Sequence, residues 1–168
     1  MKHALAFLCL CLSFSALAQP IKRVSPFTAR NSVYVEALGS GLVYSINYER
    51  LLGLKEELAY GIRAGTAYLG GRSGSLVLIG ELFALIGEDN LHADFGIGLT
   101  STTPLTGEDN NQRFKSTYAL VPRIGYRYQK PTGGLMARIG FTPLIPLGQT
   151  DFSNRFNPWV GLSIGHSF

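Results

Sequence analysis

The sequence predicts an all-β fold: an eight-stranded antiparallel transmembrane up-and-down β-barrel. Three observations carry that prediction. Segments of roughly ten residues alternate apolar with small or polar side chains, the period of two that gives a strand two different faces. About eight such segments occur, the smallest even count for barrels that cross a bilayer with tilted strands. The third observation is the ending Asn157-Pro-Trp-Val-Gly-Leu-Ser-Ile-Gly-His-Ser-Phe168. It places Phe168, His166, Ile164, Leu162 and Val160 on one face and Ser167, Gly165, Ser163 and Gly161 on the other, with Trp159 at its far end. An unpaired edge strand invites aggregation, and closure against the first strand removes that edge.

The elements follow in order. Lys2 and His3 precede an apolar run from Ala4 to Leu17 and an Ala16-Leu17-Ala18 site, which reads as a secretory signal spanning 1–18 and cleaved after Ala18. The run is shorter than the roughly 20 residues a spanning helix needs. Residues 19–31, with Pro20 and Pro26, read as an N-terminal leader, and 32–168 as the barrel. Ser32–Gly39 is the first strand, and Gly39-Ser40-Gly41 a tight turn. Leu42–Leu51 is the second strand and Gly53–Glu57 the next turn. Leu58–Leu69 is the third.

Ser75–Ile86 is nearly all apolar apart from Glu81. It reads as a strand because of Gly80 and its β-rich surroundings, with a helix of about three turns as the alternative. Gly87-Glu88-Asp89-Asn90 is a turn signal. Leu91–Thr100 alternates cleanly, Ser101–Gln112 reads as a long loop, and Arg113–Tyr128 as the sixth strand. Lys130–Gly133 is a compact turn, Gly134–Thr142 the seventh strand, and Pro143–Asn157 a second long loop. With both chain ends in the periplasm, the long loops fall outside, as such barrels prefer. The very short first external turn departs from that pattern.

Charge placement supports a barrel over a soluble sandwich. Glu36, Glu49, Arg63, Glu81, Asp94, Arg123, Arg127 and Arg138 all fall on the face otherwise lined by glycine, serine and asparagine. An eight-stranded barrel has an interior only wide enough for side chains to fill it. Four acids and four bases inside it are expected to form a neutral plug of ion pairs, because an unpaired buried ion costs several kcal/mol or so. The opposite face, with Tyr44, Tyr48, Tyr60, Tyr126, Tyr128, Phe141 and Phe168, would then meet lipid and supply aromatic girdles.

Composition excludes several function classes. Cys9 and Cys11 leave with the signal, so the mature chain has no thiol for a disulfide, a nucleophile or a metal. Cleavage also removes Lys2 from the 15 basic residues, which leaves +3 against 11 acidic ones. The bases are scattered singly, without the stripe a nucleic-acid binder needs. His92 and Asp94 point the same way, but two ligands without a third are an incomplete metal site. His166 lies on the predicted lipid face, with no serine of matching parity beside it. No cofactor is expected.

Ser32-Val-Tyr-Val-Glu-Ala-Leu-Gly39 followed by Tyr44-Ser-Ile-Asn-Tyr-Glu-Arg50 resembles the opening of small outer-membrane β-barrel proteins of Bacteroidota. Ile124–Gln129, Gly133–Pro143 and Pro158–Phe168 are similar to later parts of the same proteins. The resemblance implies a location in the cell outer membrane, outer-membrane lipid as surroundings, and no catalytic residues. It also implies that Trp159, Leu162, Ile164, His166 and Phe168 form the signal read by the barrel-assembly machinery. The expected protein is a monomeric, non-enzymatic, plugged barrel with a structural or surface-interaction role through its external loops. A narrow pore for small solutes and a lipid A-modifying barrel enzyme are the alternatives.

Overall fold

The computed structural model describes residues 27–55, 58–70, 74–105, 116–148 and 157–168. They form a closed antiparallel barrel of eight staves. The strands are β1 (Asn31–Leu38), β2 (Tyr44–Lys55), β3 (Leu58–Leu69), β4 (Ser75–Glu88), β5 (Leu91–Pro104), β6 (Thr117–Gln129), β7 (Gly134–Phe141), β8 (Ile145–Leu147) and β9 (Val160–Ser167). From β1 to β7 each pairs with the next. β7 and the short β8 share one stave against β6, and β9 pairs with both β7 and β1 to close the cylinder. Asn31 and Phe168 exchange both backbone bonds, at 2.9 and 2.8 Å, at what we term the near end. The signal assigned to 1–18 lies outside the described residues.

Several boundaries differ from the sequence reading, each for a local reason. β2 starts at Tyr44 because Leu38, Gly39 and Leu42 take positive φ angles of 61°, 60° and 71°, which bend the chain into a 3-10 turn, Gly39–Gly41. The expected turn at 53–57 is instead strand as far as Lys55, because a bulge between Leu51 and Gly53 absorbs an extra residue without ending the ladder. Ser101–Pro104, expected in a loop, continues β5 against β4, and Pro104 stands at the strand terminus, where a missing N–H is tolerated. Ile145–Leu147, also expected in a loop, pairs with Tyr118–Leu120 as β8. Ser75–Glu88 is strand throughout, so the helical alternative falls.

β4 is apolar on both faces because the lumen is layered. At the near end Phe83 and Leu85 pack with Leu51, Ala59 and Phe27. Phe27 belongs to the segment read as a leader, and with Ala29 it is buried in the barrel mouth. Thr28 and Ala29 N–H both donate to the Pro131 carbonyl at 3.0 Å and hold it there. Toward the far end Val77 and Ile79 pack with Ala67 and Leu69. The 3-10 turn is itself buried: the Ser40 carbonyl accepts from the Thr100 hydroxyl at 3.1 Å, and Ser40 N–H donates to Glu36 at 3.2 Å. This far-end connection therefore folds inward as a stopper. Glu81, between the two apolar layers of β4, marks the level where the ionic groups lie.

The outer wall is apolar. Val33, Val35, Ile46, Ile62, Leu82, Ile97, Ile124, Ile139, Leu162 and Ile164 are all exposed on it. Tyr44, Tyr68 and Tyr118 lie outward toward the far end, and Tyr48, Tyr60, Tyr126 and Phe168 toward the near end.

Candidate functional site

The chemistry of this chain is concentrated in the middle of the lumen. Inward parity on every stave but β9 delivers one or two charges there, and all eight are buried. They join into a closed circuit of alternating sign. Glu36 meets Arg63 at 2.5 Å, Arg63 meets Glu81 at 2.9 Å, and Glu81 meets Arg123 at 2.7 Å. Arg123 meets Asp94 at 3.0 Å, Asp94 meets Arg127 at 4.0 Å, and Arg127 meets Glu49 at 2.6 Å. Glu49 meets Arg138 at 2.8 Å, and Arg138 returns to Glu36 at 3.1 Å. One further contact, Arg138 to Asp94 at 3.6 Å, crosses the ring. The Arg123–Glu81 contact is an ion pair by proximity rather than a directed hydrogen bond, since that Glu81 oxygen has no aligned donor.

Neutral side chains complete the network. The Tyr34 hydroxyl donates to Glu49 at 2.5 Å and accepts from Arg138 at 3.0 Å. Its ring lies beneath two guanidinium groups, with Arg138 at 4.7 Å and Arg63 at 5.6 Å from the centroid, a cation–π geometry. Asn47 accepts from Arg63, Ser32 accepts from Arg127, and Ser163 of β9 accepts from Arg138 while donating to Glu36. Glycine on the inner face makes the room: a Cβ on Gly96 would strike the Glu81 carboxylate, and one on Gly39 would strike that of Glu36. Tyr34 escaped the sequence reading although it lies two residues from Glu36 and shares its face. Phe27 and Ser40 carry no such periodic signal.

The register explains why Glu49 occupies its central position. Arg127 and Arg138 stand directly opposite each other across β6 and β7, an arrangement that destabilises a sheet when uncompensated. Glu49 reaches across from β2 and takes both.

His92 and Asp94 do not form a pair. His92 Nε2 lies 3.1 Å from the Gln129 carbonyl and its ring packs on Phe27 with centroids 5.2 Å apart, whereas Asp94 joins the arginines. Among the described residues, no group of three His, Cys, Asp or Glu side chains converges as a metal site. The residues read as an assembly signal lie along β9 and its flanks. Leu162, Ile164, His166 and Phe168 face outward, with His166 stacked on Phe168 at 6.5 Å. Trp159 instead lies at the far-end mouth, and its carbonyl accepts from Thr142 N–H at 2.8 Å.

No protein-family model matches the chain. No curated protein matches it either. The fold does match a solved structure, the N-terminal β-barrel domain of Pseudomonas aeruginosa OprF. The TM-score is 0.54 at 14% identity, covering 83% of this chain and 98% of that one. At that identity the likeness establishes the fold: a closed eight-stranded barrel.

Proposed function

We propose that the chain is an integral outer-membrane protein, a monomeric barrel locked shut by its internal ion-pair ring, whose role is structural or in surface interaction. The observation that carries this reading is the inversion of polarity. The wall exposes isoleucine, leucine and valine, including Ile164 and Leu82 at 63% each, while four acids and four arginines are buried inside. In water that wall would be a far larger apolar patch than soluble monomers leave uncovered; against lipid it needs no protein partner. The tyrosines toward both ends suit the two interfaces. The likeness in fold to the OprF barrel domain supports the closed barrel on which this reading rests.

In this reading the near end faces the periplasm and the connections after β5 and β8 face outward. The apolar outer face of β9, ending in Phe168, serves the barrel-assembly machinery. The ring, the inward-folded turn and Phe27 obstruct the lumen at three levels, so the barrel is not a conduit. The test combines two measurements on the mature chain. Unheated samples in detergent should migrate differently from boiled ones on a gel, and reconstitution into planar bilayers should give no steady conductance. Solubility without detergent, with identical migration of both samples, would overturn the membrane reading. Steady channels would overturn the plug and put a narrow pore in its place.

A further inference from the structure

The far-end mouth of the lumen differs in chemistry from the ring beneath it. A cavity of about 550 Å³ opens there, within the range of about 300–1,000 Å³ found for small-molecule sites. Its walls are apolar, formed by Leu42 and Val43 after the buried turn, Ala119 of β6, Pro146 of β8, Leu144 and Trp159. Thr102, Thr117 and Asn157 add neutral polar groups, and no charged side chain lines it among the described residues. The Thr100 hydroxyl below is already committed to the Ser40 carbonyl. The pocket is therefore blind, its floor closed by the same turn that seals the lumen.

A break in the wall shapes this site. β7 and β8 hold the same offset against β6, with Ile124 opposite Phe141 and Leu120 opposite Ile145. Between those pairs Pro122 falls opposite Pro143, and neither has an N–H to give. The ladder to β6 stops across that gap. On the other side Thr142 and Leu144 bond to the Trp159 and Asn157 carbonyls at 2.8 and 3.0 Å. Trp159 Nε1 is left buried without a hydrogen-bond partner. An indole N–H can only donate, and a buried donor left unmet is costly.

We propose that this mouth binds one uncharged, largely apolar small molecule that offers a hydrogen-bond acceptor to Trp159 Nε1. The wall supplies the apolar contact, and the threonines and Asn157 supply orientation. Among the described residues no wall offers a countercharge to an ion. The site rests on the barrel wall and not on where the barrel resides, so the outcome of the gel-mobility and conductance test and this one are separable.

Trp159 is the single tryptophan in the chain and reports on the site directly. The folded mature chain in zwitterionic detergent is titrated with neutral 6-propionyl-2-dimethylaminonaphthalene, whose ketone oxygen is an acceptor, and, separately, with anionic 1-anilinonaphthalene-8-sulfonate. The quenching of tryptophan emission is read in each case. We expect saturable quenching at one neutral probe per barrel, with the sulfonate weaker by about tenfold or more, equivalent to about 1.4 kcal/mol. Ala119→Phe, which fills the cavity from β6, should weaken the neutral probe by a similar factor; Thr117→Leu does the same if the first variant fails to fold. Non-saturable quenching that is identical in the variants is partition into the micelle and overturns the proposal. Equal binding of the sulfonate overturns the assignment of an uncharged ligand.

Discussion

Replacing Glu49 by glutamine keeps the side chain's shape and removes one charge from the centre of the ring. Arg127 then loses its 2.6 Å partner and retains Asp94, at 4.0 Å, as its one acidic contact, beside the Ser32 hydroxyl at 3.3 Å. Arg138 loses a 2.8 Å partner but retains Glu36 at 3.1 Å and Asp94 at 3.6 Å. The two guanidiniums remain opposite each other across β6 and β7, with the lumen carrying one uncompensated positive charge. Removing one member of a buried pair costs about 3–5 kcal/mol, so Glu49→Gln should lower the folded-to-unfolded ratio by roughly two to three and a half powers of ten. Equilibrium urea unfolding of the refolded barrel, followed by Trp159 emission and gel mobility, should show a lower midpoint with an unchanged slope. Arg127→Met alone should cost a similar amount, because it leaves Glu49 and Asp94 undercompensated. The double variant Glu49→Gln/Arg127→Met restores neutrality and leaves Arg138 paired. It should recover most of the loss, since a buried pair replaced as a unit is often neutral. A loss below about 1 kcal/mol for Glu49→Gln, or a double variant that loses the sum of the singles, would refute the coupled ring.

Three further outcomes follow from the packing. Gly96→Ala drives a methyl group into the Glu81 carboxylate and should destabilise the barrel by about 1–3 kcal/mol, the usual cost of overpacking; an unchanged unfolding midpoint counts against the tight fit. Phe27→Ala empties the near-end apolar layer and should cost about 3 kcal/mol, the low end for a buried phenylalanine because its segment can detach. It should leave bilayer conductance at zero, and channels in this variant would mean that the ring does not obstruct. Deleting Phe168 removes the residue that exchanges both backbone bonds with Asn31 and should reduce barrel assembly in cells, read as outer-membrane abundance; unchanged abundance refutes a role for it in insertion.

Period and parity made most of the barrel legible in the sequence. Leu58–Leu69 has the limits its alternation implied, and the face shared by glycine and charge is the lumen. What escaped depends on contacts between distant parts of the chain. The bulge after Leu51 shifts a register that local pattern holds constant. Ser101–Pro104 is polar and ends in proline, yet it extends β5 because β4 offers it a full ladder. Gly39–Gly41 reads as an ordinary tight turn, and only the positive φ of its neighbours sends it into the lumen. Within the ring, parity identifies the members but not the partners: Glu49 stands in register with Arg63, yet it bonds across the lumen to Arg127 and Arg138.

That choice of partners bears on how the barrel specifies its own closure. Most of the ring joins staves that are not neighbours: β1 to β3, β4 to β6, β2 to β6, β2 to β7, β7 to β1 and β5 to β7. The contacts of β2 with β6 and β7, and of β7 with β1, form only once β9 closes against β1, whereas pairs between neighbouring staves such as Arg63–Glu81 need no closure. A stave that slips by one residue carries its charge from the lumen to the apolar outer wall, because the side-chain period is two. On a lipid-facing surface a misplaced arginine costs about 2–4 kcal/mol near the bilayer midplane. Even where an apolar lumen would match its stability, the ring penalises open and slipped arrangements that an apolar lumen would tolerate. Its contribution is therefore to select the one register in which all eight staves close.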